Sequence, residues 1–376
     1  MSEDAGAVVP GGDSAASPTE PAAEGEAATS SQARRLRFTG SGQEYFRIWI
    51  VNVALTLLTL GIYSAWAKVR ARRYLYGNVW LGDDAFDYTA NPVAILRGRL
   101  LLLLVLVPVS LAQRISLAYY YAALLLLMPV VPWVVVRARS FHMRNSRYQG
   151  IAFDFHGKYW DAAVWYPLSW AASIVTLGLA RPFTVRQRDD FLVTESRFGS
   201  TPFTFVGQVR PYYKAYLATV VVLFFLYVGG VVGLLLVMAA TSLGASPDAG
   251  PPAFDMRLFF AGSLAIAAAA TLFILAYLRT RLLSYRWSNT RLRENEFRLD
   301  LPFPTMLWLY ASNAALIVAT FGLFVPFARI RVLRYVVDQC RVMREGGEET
   351  FEAGETQRVA ATGAEAAGEF GLEIGI

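Results

Sequence analysis

Leu258–Leu278 is an apolar run without a charged residue, and it constrains this chain more than any other feature. The hydrocarbon core of a bilayer is about 30 Å thick, and a helix crosses it in roughly 20 residues. Leu100–Ala112, Ile115–Val136 and Ala215–Ala240 are blocks of the same kind, each reaching that length alone or with its flanks. Lipid offers no water to a backbone N–H or C=O, so such runs fold as helices that satisfy themselves. Composition agrees: 55% of the 376 residues are hydrophobic, where a soluble domain holds roughly 45–50%. The expectation is a polytopic helical membrane protein.

Charge sets the boundaries of that membrane domain. The first 33 residues hold Glu3, Asp4, Asp13, Glu20, Glu24 and Glu26, with no basic residue before Arg34. They lack the positive start and apolar core of a secretory signal and read as a disordered acidic tail, residues 1–33. Residues 345–376 read the same way, with Arg358 as their one basic residue. Since the net charge is +6, the basic residues belong to the domain between, 34–344. Basic segments beside apolar helices set topology and meet lipid headgroups, so membrane lipids are the expected partners and nucleic acid is not. Protein partners are open, and a homo-oligomer is compatible with everything here. Cys340 is the only cysteine and His142 and His156 the only histidines, which excludes an intramolecular disulfide, a CxxC site and a histidine cluster.

One segment occurs three times. Thr59-Leu60-Gly61-Ile62-Tyr63-Ser64-Ala65-Trp66-Ala67-Lys68-Val69-Arg70 returns from Thr176-Leu177-Gly178 to Arg186 and again from Thr320-Phe321-Gly322 to Arg329. Each copy follows an apolar stretch and precedes a charged run with an aromatic: Tyr74, Phe191 and Tyr335. Between the copies lie short stretches of period two, Phe86-Asp87-Tyr88, Phe153–Gly157, Phe203–Gly207 and Phe297-Arg298-Leu299, with a degenerate form at Leu36–Gly40. Gly82-Asp83-Asp84, Gly150 and Gly199-Ser200 supply turns beside them. Alternation next to turn residues predicts small β-hairpins, whose aromatics are expected flat against the membrane surface.

The Thr59–Arg70 run, the Tyr74-Leu75-Tyr76-Gly77-Asn78 that follows it, and the Gly-x-x-x-Phe-x-Tyr/Phe stretch resemble the YjgN family of bacterial inner-membrane proteins, over roughly residues 36–344. The second copy departs from the pattern, with Arg181-Pro182 and then Asp189-Asp190 where the first has Arg72-Arg73. The resemblance implies a bacterial inner-membrane location and a fold, and it implies no catalytic residue. The fold class expected is mainly α, polytopic, with short β-hairpins at the membrane surface. It is a tandem repeat of a motif segment (47–74, 162–191, 305–335) and a helical pair (93–136, 215–278).

Seven apolar segments can be drawn, at 47–67, 93–112, 115–136, 162–180, 215–240, 258–278 and 305–328. If all seven cross, the 35 Lys and Arg divide almost evenly between the two sides, against the usual excess on the cytoplasmic side. If the three motif segments are re-entrant, only Arg114 and Arg257 lie outside and both termini are cytoplasmic. Glycine and proline after each motif threonine would break the helix there. The charge count favours four crossings, with seven as the alternative.

Asn52, Ser169 and Asn313 each stand seven residues before the motif threonine. Polar groups inside apolar helices find partners on neighbouring helices, either as packing contacts or as a shared polar membrane site. Thr59, Thr176 and Thr320 allow the same two readings, with capping of the helix break favoured. Lys68, Arg70, Arg72, Arg73, Arg137, Arg139, Arg279 and Arg281 follow apolar segments directly and are candidate headgroup contacts, or the lining of a basic vestibule. Asp154 and His156 lack a third ligand for a metal. No nucleophile elbow, Walker loop or zinc-protease signature occurs, and no Asp or Glu lies in the core of an apolar segment, so neither an enzyme nor a proton-coupled pump is expected, and no cofactor. The expected function is binding or permeation of a lipid or small solute, and the alternative is a scaffold for other membrane components.

Overall fold

The computed structural model describes residues 33–243 and 256–344. All of them belong to the second of two contact units, Ser31–Ile376. Apart from Ala33, the two acidic tails lie outside the described residues, as do residues 244–255.

Ten short strands alternate with five helical segments. The first unit is β1 (Ala33–Phe38), α1 (Gly42–Leu58), α2 (Ser64–Gly77) and β2 (Val79–Leu81). The second is β3 (Asp84–Tyr88), α3 (Pro92–Ile115), α4 (Leu117–Leu127), α5 (Val130–Arg144) and β4 (Ser146–Tyr148). The third is β5 (Ile151–Phe155), α6 (Tyr159–Ala163), a π-helical turn at Val164–Leu168, α7 (Ser169–Val175), α8 (Arg181–Thr194) and β6 (Ser196–Phe198). The fourth is β7 (Thr201–Phe205), α9 (Arg210–Leu243), α10 (Met256–Ser288) and β8 (Thr290–Leu292). The last is β9 (Asn295–Leu299), α11 (Phe303–Ala319), α12 (Val325–Asp338) and β10 (Cys340–Arg344).

Each unit's two strands pair antiparallel, each unit joins the next through a two-residue turn, and β10 pairs with β1 to close a barrel. Since all pairing is antiparallel, the odd strands run one way. The five helical segments therefore leave from one rim, and the four turns occupy the other. This corrects the expectation of separate hairpins with aromatics on the membrane surface. Phe86 is paired with Tyr148, Phe153 with Phe198 and Phe203 with Leu292, and these side chains pack together inside the barrel. The ring centroids of Phe86, Phe153 and Phe203 follow one another at 6.4 Å. On the opposite face, charges are matched across strands: Asp87 with Arg147, Asp154 with Arg197, and Arg291 with Glu296 at 2.7 Å. Alternation was read correctly, but the surface it faces is the barrel's own interior, because ten strands together enclose a core that one hairpin cannot. Gly40 lets the Phe38 ring fold back, since a Cβ there would lie 2.7 Å from it.

Among the described residues three helices, Pro92–Ile115, Arg210–Ala240 and Phe259–Ser288, are long and apolar enough to cross a membrane, and α4 with α5, bent by 46°, makes a fourth if counted as one span. The motif segments are different. In each, the chain turns back at the Thr-x-Gly. Leu60, Leu177 and Phe321 have φ of 50°, 51° and 48°, and the glycine after each has φ of 93°, 89° and 89°. Gly61 N–H donates to Thr56 O at 2.8 Å and Leu60 N–H to Leu57 O at 3.2 Å, the paired bonds of a Schellman stop. The copies at Gly178 and Gly322 repeat both bonds. The segments 47–67, 162–180 and 305–328 are therefore helix–turn–helix hairpins, not single straight helices.

Candidate functional site

The motif threonines hold these turns. Thr59 Oγ1 donates to Leu55 O at 2.8 Å and accepts from Tyr63 N–H at 2.9 Å. Thr176 makes the same pair with Ala172 and Ala180, and Thr320 with Leu316 and Phe324. Asn52 and Asn313, both buried, tie the arms of their own hairpins, donating to Ala67 O at 3.2 Å and to Ala328 O at 3.4 Å. Asn313 also accepts from Arg331 at 2.6 Å. Ser169 is too short for that reach and bonds Tyr166 O at 2.8 Å. Each of these polar groups bonds within its own hairpin.

The basic residues divide. Arg70, Arg73, Arg279 and Arg281 are exposed, while Lys68, Arg72, Arg137 and Arg139 are partly buried. Arg137 lies over the Trp133 ring at 5.9 Å and Arg281 over Tyr277 at 5.7 Å. Arg281 and Lys214 line a groove of about 400 Å³ between the arms of α9 and α10.

Arg72 and Arg139 point the other way, toward the centre of the ring. The second arm of every unit ends alike, at Asn78, Asn145, Glu195, Asn289 and Gln339. Four residues earlier stands an aromatic in all five: Tyr74, Phe141, Phe191, Tyr285 and Tyr335. Counting back six gives Arg72, Arg139, Asp189, Leu283 and Leu333, and counting back three gives Leu75, His142, Leu192, Arg286 and Val336. The sixth-back residue of one unit meets the third-back residue of the next. Leu333 packs in one cluster with Leu75, and Leu283 in one with Val336. Arg72 reaches His142 Nδ1 at 3.3 Å, and Asp189, almost wholly buried, pairs with Arg286 at 3.5 Å and accepts from Tyr212 at 2.9 Å.

Four of the five contacts are chemically matched, apolar with apolar or polar with polar. The fifth is not. Arg139 has the apolar Leu192 as its opposite number, and its buried Nε has no hydrogen-bond partner. Both residues line a chamber of about 300 Å³ above the barrel mouth, together with His142, Arg286, Trp287 and Tyr76. Among the described residues no acidic side chain lines it. Arg139 and Arg286 repel each other across this space. The hydroxyls of Ser146, Ser196 and Thr290 in its floor are already given to the carbonyls four residues before them. The chamber's unspent hydrogen-bonding capacity is thus cationic.

Sequence reasoning placed Arg139, with Arg286, among headgroup contacts or the lining of a basic vestibule, and gave His142 and Asp189 no part in a site. The signal was present: aligning all five arm ends on their aromatic, rather than the three motif copies alone, brings these residues into register. Asp154 is occupied by Arg144 at 2.8 Å, and among the described residues no cluster of three or more His, Cys, Asp or Glu could hold a metal.

Spanning helices raised on one rim of a small plugged barrel, around a basic chamber, define a polytopic helical membrane protein. Residues 33–368 match the family described as Bacterial protein of unknown function (DUF898), and the chain belongs to that family. Inner membrane protein YjgN of Salmonella typhimurium is 35% identical over 121 residues, 32% of this chain and 31% of that protein. The protein of the same name from Escherichia coli K12 is 49% identical over 51 residues, 14% of this chain and 13% of its own length. The aligned stretches thus span less than a third of either relative. No solved structure matches the chain.

Proposed function

We propose that this protein binds a small anionic ligand, a lipid phosphate or a free oxyanion, in the chamber between its helical arms. The observation that carries this reading is Arg139, the one unmatched member of the five inter-unit contacts, with Arg286 beside it and no carboxylate facing the space. A buried cation without a counter-charge costs several kcal/mol, and a bound anion would remove that cost. Passage through the barrel is disfavoured, because Phe86, Phe153, Phe203, Phe297, Tyr148 and Phe198 fill it. Binding is therefore favoured over permeation.

The inner-membrane names of the relatives support the same location for this chain, and we place the barrel on the cytoplasmic side. The charge supports that orientation, since it leaves Arg114 and Arg257 alone on the far side. The three hairpins and two longer pairs are read as copies of one ancestral unit, a reading that the shared turn dihedrals and the aromatic at each arm end support. The exposed Arg70, Arg73, Arg279 and Arg281 are assigned to headgroups.

Thermal unfolding of the purified protein tests the chamber. Dioleoylphosphatidylglycerol or inorganic phosphate should raise the melting temperature of the wild type, by about 2.7 kcal/mol of stabilisation at one hundred times Kd. Arg139→Leu should be insensitive to both, and without ligand it should melt higher than the wild type. A wild type that responds no differently from Arg139→Leu would sink the reading. Response to the lipid alone, or to phosphate alone, identifies the source of the anion.

A further inference from the structure

The three motif hairpins present their least water-compatible residues at their outermost points. Leu60 is 95% exposed, Leu177 94% and Phe321 97%, each at the positive-φ position of its turn. Around them Leu57, Leu58 and Ile62, then Ile174, Val175 and Leu179, then Val318 and Leu323 are exposed as well. Glycine or asparagine is the ordinary occupant of such a turn position. A large apolar side chain there adds backbone strain and gains nothing from the protein, since it touches little of it.

How deep such a tip can go is set by the nearest charges. Lys68 and Arg329 each follow the tip residue by eight positions, and Arg181 follows Leu177 by four. At 1.5 Å per residue these charges lie about 12 Å and about 6 Å below the tips. A crossing needs about 30 Å of hydrocarbon. The charge-free run Leu258–Leu278 of α10 supplies that length, and the hairpins supply less than half of it. Arg181 stacks over the Trp170 ring at 5.3 Å, an amphipathic pairing of the kind that settles at the headgroup level. All five helical segments rise from the same rim, so the short tips and the spanning helices enter the membrane from the same side.

We infer that the three motif hairpins insert into one leaflet only, the leaflet on the barrel side. Leu60, Leu177 and Phe321 rest among its acyl chains while the charges below them meet its headgroups. The occupant of this apolar surface is lipid. The hairpins of the first and last units pack side by side, α1 against α12, with the Phe46 and Phe327 rings 5.4 Å apart. The third unit's hairpin stands apart from them, between the two spanning pairs. Lipid is therefore displaced unevenly around the ring, and from one leaflet alone.

Single cysteines at Leu60, Leu177 and Phe321, and at the neighbouring Ile62, test this in the full chain. The native Cys340 is buried and leaves a clean background. In right-side-out and inverted vesicles a membrane-impermeant maleimide should label none of these cysteines from either face. Arg114→Cys should label from the face opposite the barrel. Nitroxide attached in detergent before reconstitution should report about 6–12 Å of depth from the barrel-side headgroups. Labelling of any tip from the Arg114 face would mean a full crossing, and labelling from the barrel face would mean a tip in water. Either result overturns the inference.

Discussion

A single asparagine per hairpin decides how firmly the two arms are held. Asn52 and Asn313 reach the carbonyls of Ala67 and Ala328, and hydrogen bonds of this kind between membrane helices contribute about 0.6–2 kcal/mol. Asn313→Leu should lower stability more than Asn52→Leu, because it also removes the Oδ1 that accepts from Arg331 and leaves that guanidinium only Ser312 Oγ, at 3.3 Å, as a hydrogen-bond partner. Denaturant titration in detergent would order the two variants, and the reverse order would show that Arg331 finds other company. Cys340 offers a second test at this scale. Burial pushes its thiol up to about 11, so at pH 7.5 it is protonated, and only the thiolate attacks a maleimide. The folded protein should remain unlabelled until it is denatured or the pH approaches that value, and rapid labelling at pH 7.5 would contradict its place in the core. The threonine and asparagine positions were readable as a pattern in the sequence. Which partner each would take was not, since choosing between a partner in the same hairpin and one across the ring requires knowing that the segment turns back.

The turn itself is the critical element. Gly322 has φ of 89° and nothing within 4 Å of where a Cβ would stand, so Gly322→Ala meets no steric neighbour and pays only for its backbone conformation. It should destabilise that hairpin by about 1 kcal/mol, whereas Phe321→Gly should stabilise the turn while removing its apolar tip. Thermal melts of the two variants should therefore move in opposite directions in detergent, and equal losses would mean that the tip packs against protein. The break was legible because Thr-x-Gly recurs with proline or serine just after it. The five-membered ring was not legible, because α5 and α10 run on from spanning segments that are apolar on every side and so carry no periodic stripe to align. The even-numbered strands are three residues long in four cases, too short for alternation to register.

At the scale of the whole molecule, the plugged barrel organises the arms and the unmatched contact marks where they meet. Transplanting a counter-charge is the direct probe of that arrangement. Leu192→Glu should place a carboxylate opposite Arg139 and supply internally what an anion would otherwise bring. The variant should be at least as stable as the wild type and should lose its response to added anion, read by melting temperature with and without phosphate. A variant that is less stable and still responsive would show that Leu192 does not face Arg139.

Closure of the barrel has one more consequence. Ala33 lies opposite Met343 where β1 pairs with β10, on the rim where Gly82-Asp83, Gln149-Gly150, Gly199-Ser200 and Arg293-Glu294 join the other neighbouring strands. The seam is a fifth hairpin that lacks only its two-residue link. A circular permutant that joins Arg344 to Ala33 through Asn-Gly, the usual sequence for such a turn, and opens between Gly82 and Asp83 should assemble with the same chamber and the same spans. In such a ring, the seam is one position among five equivalent ones.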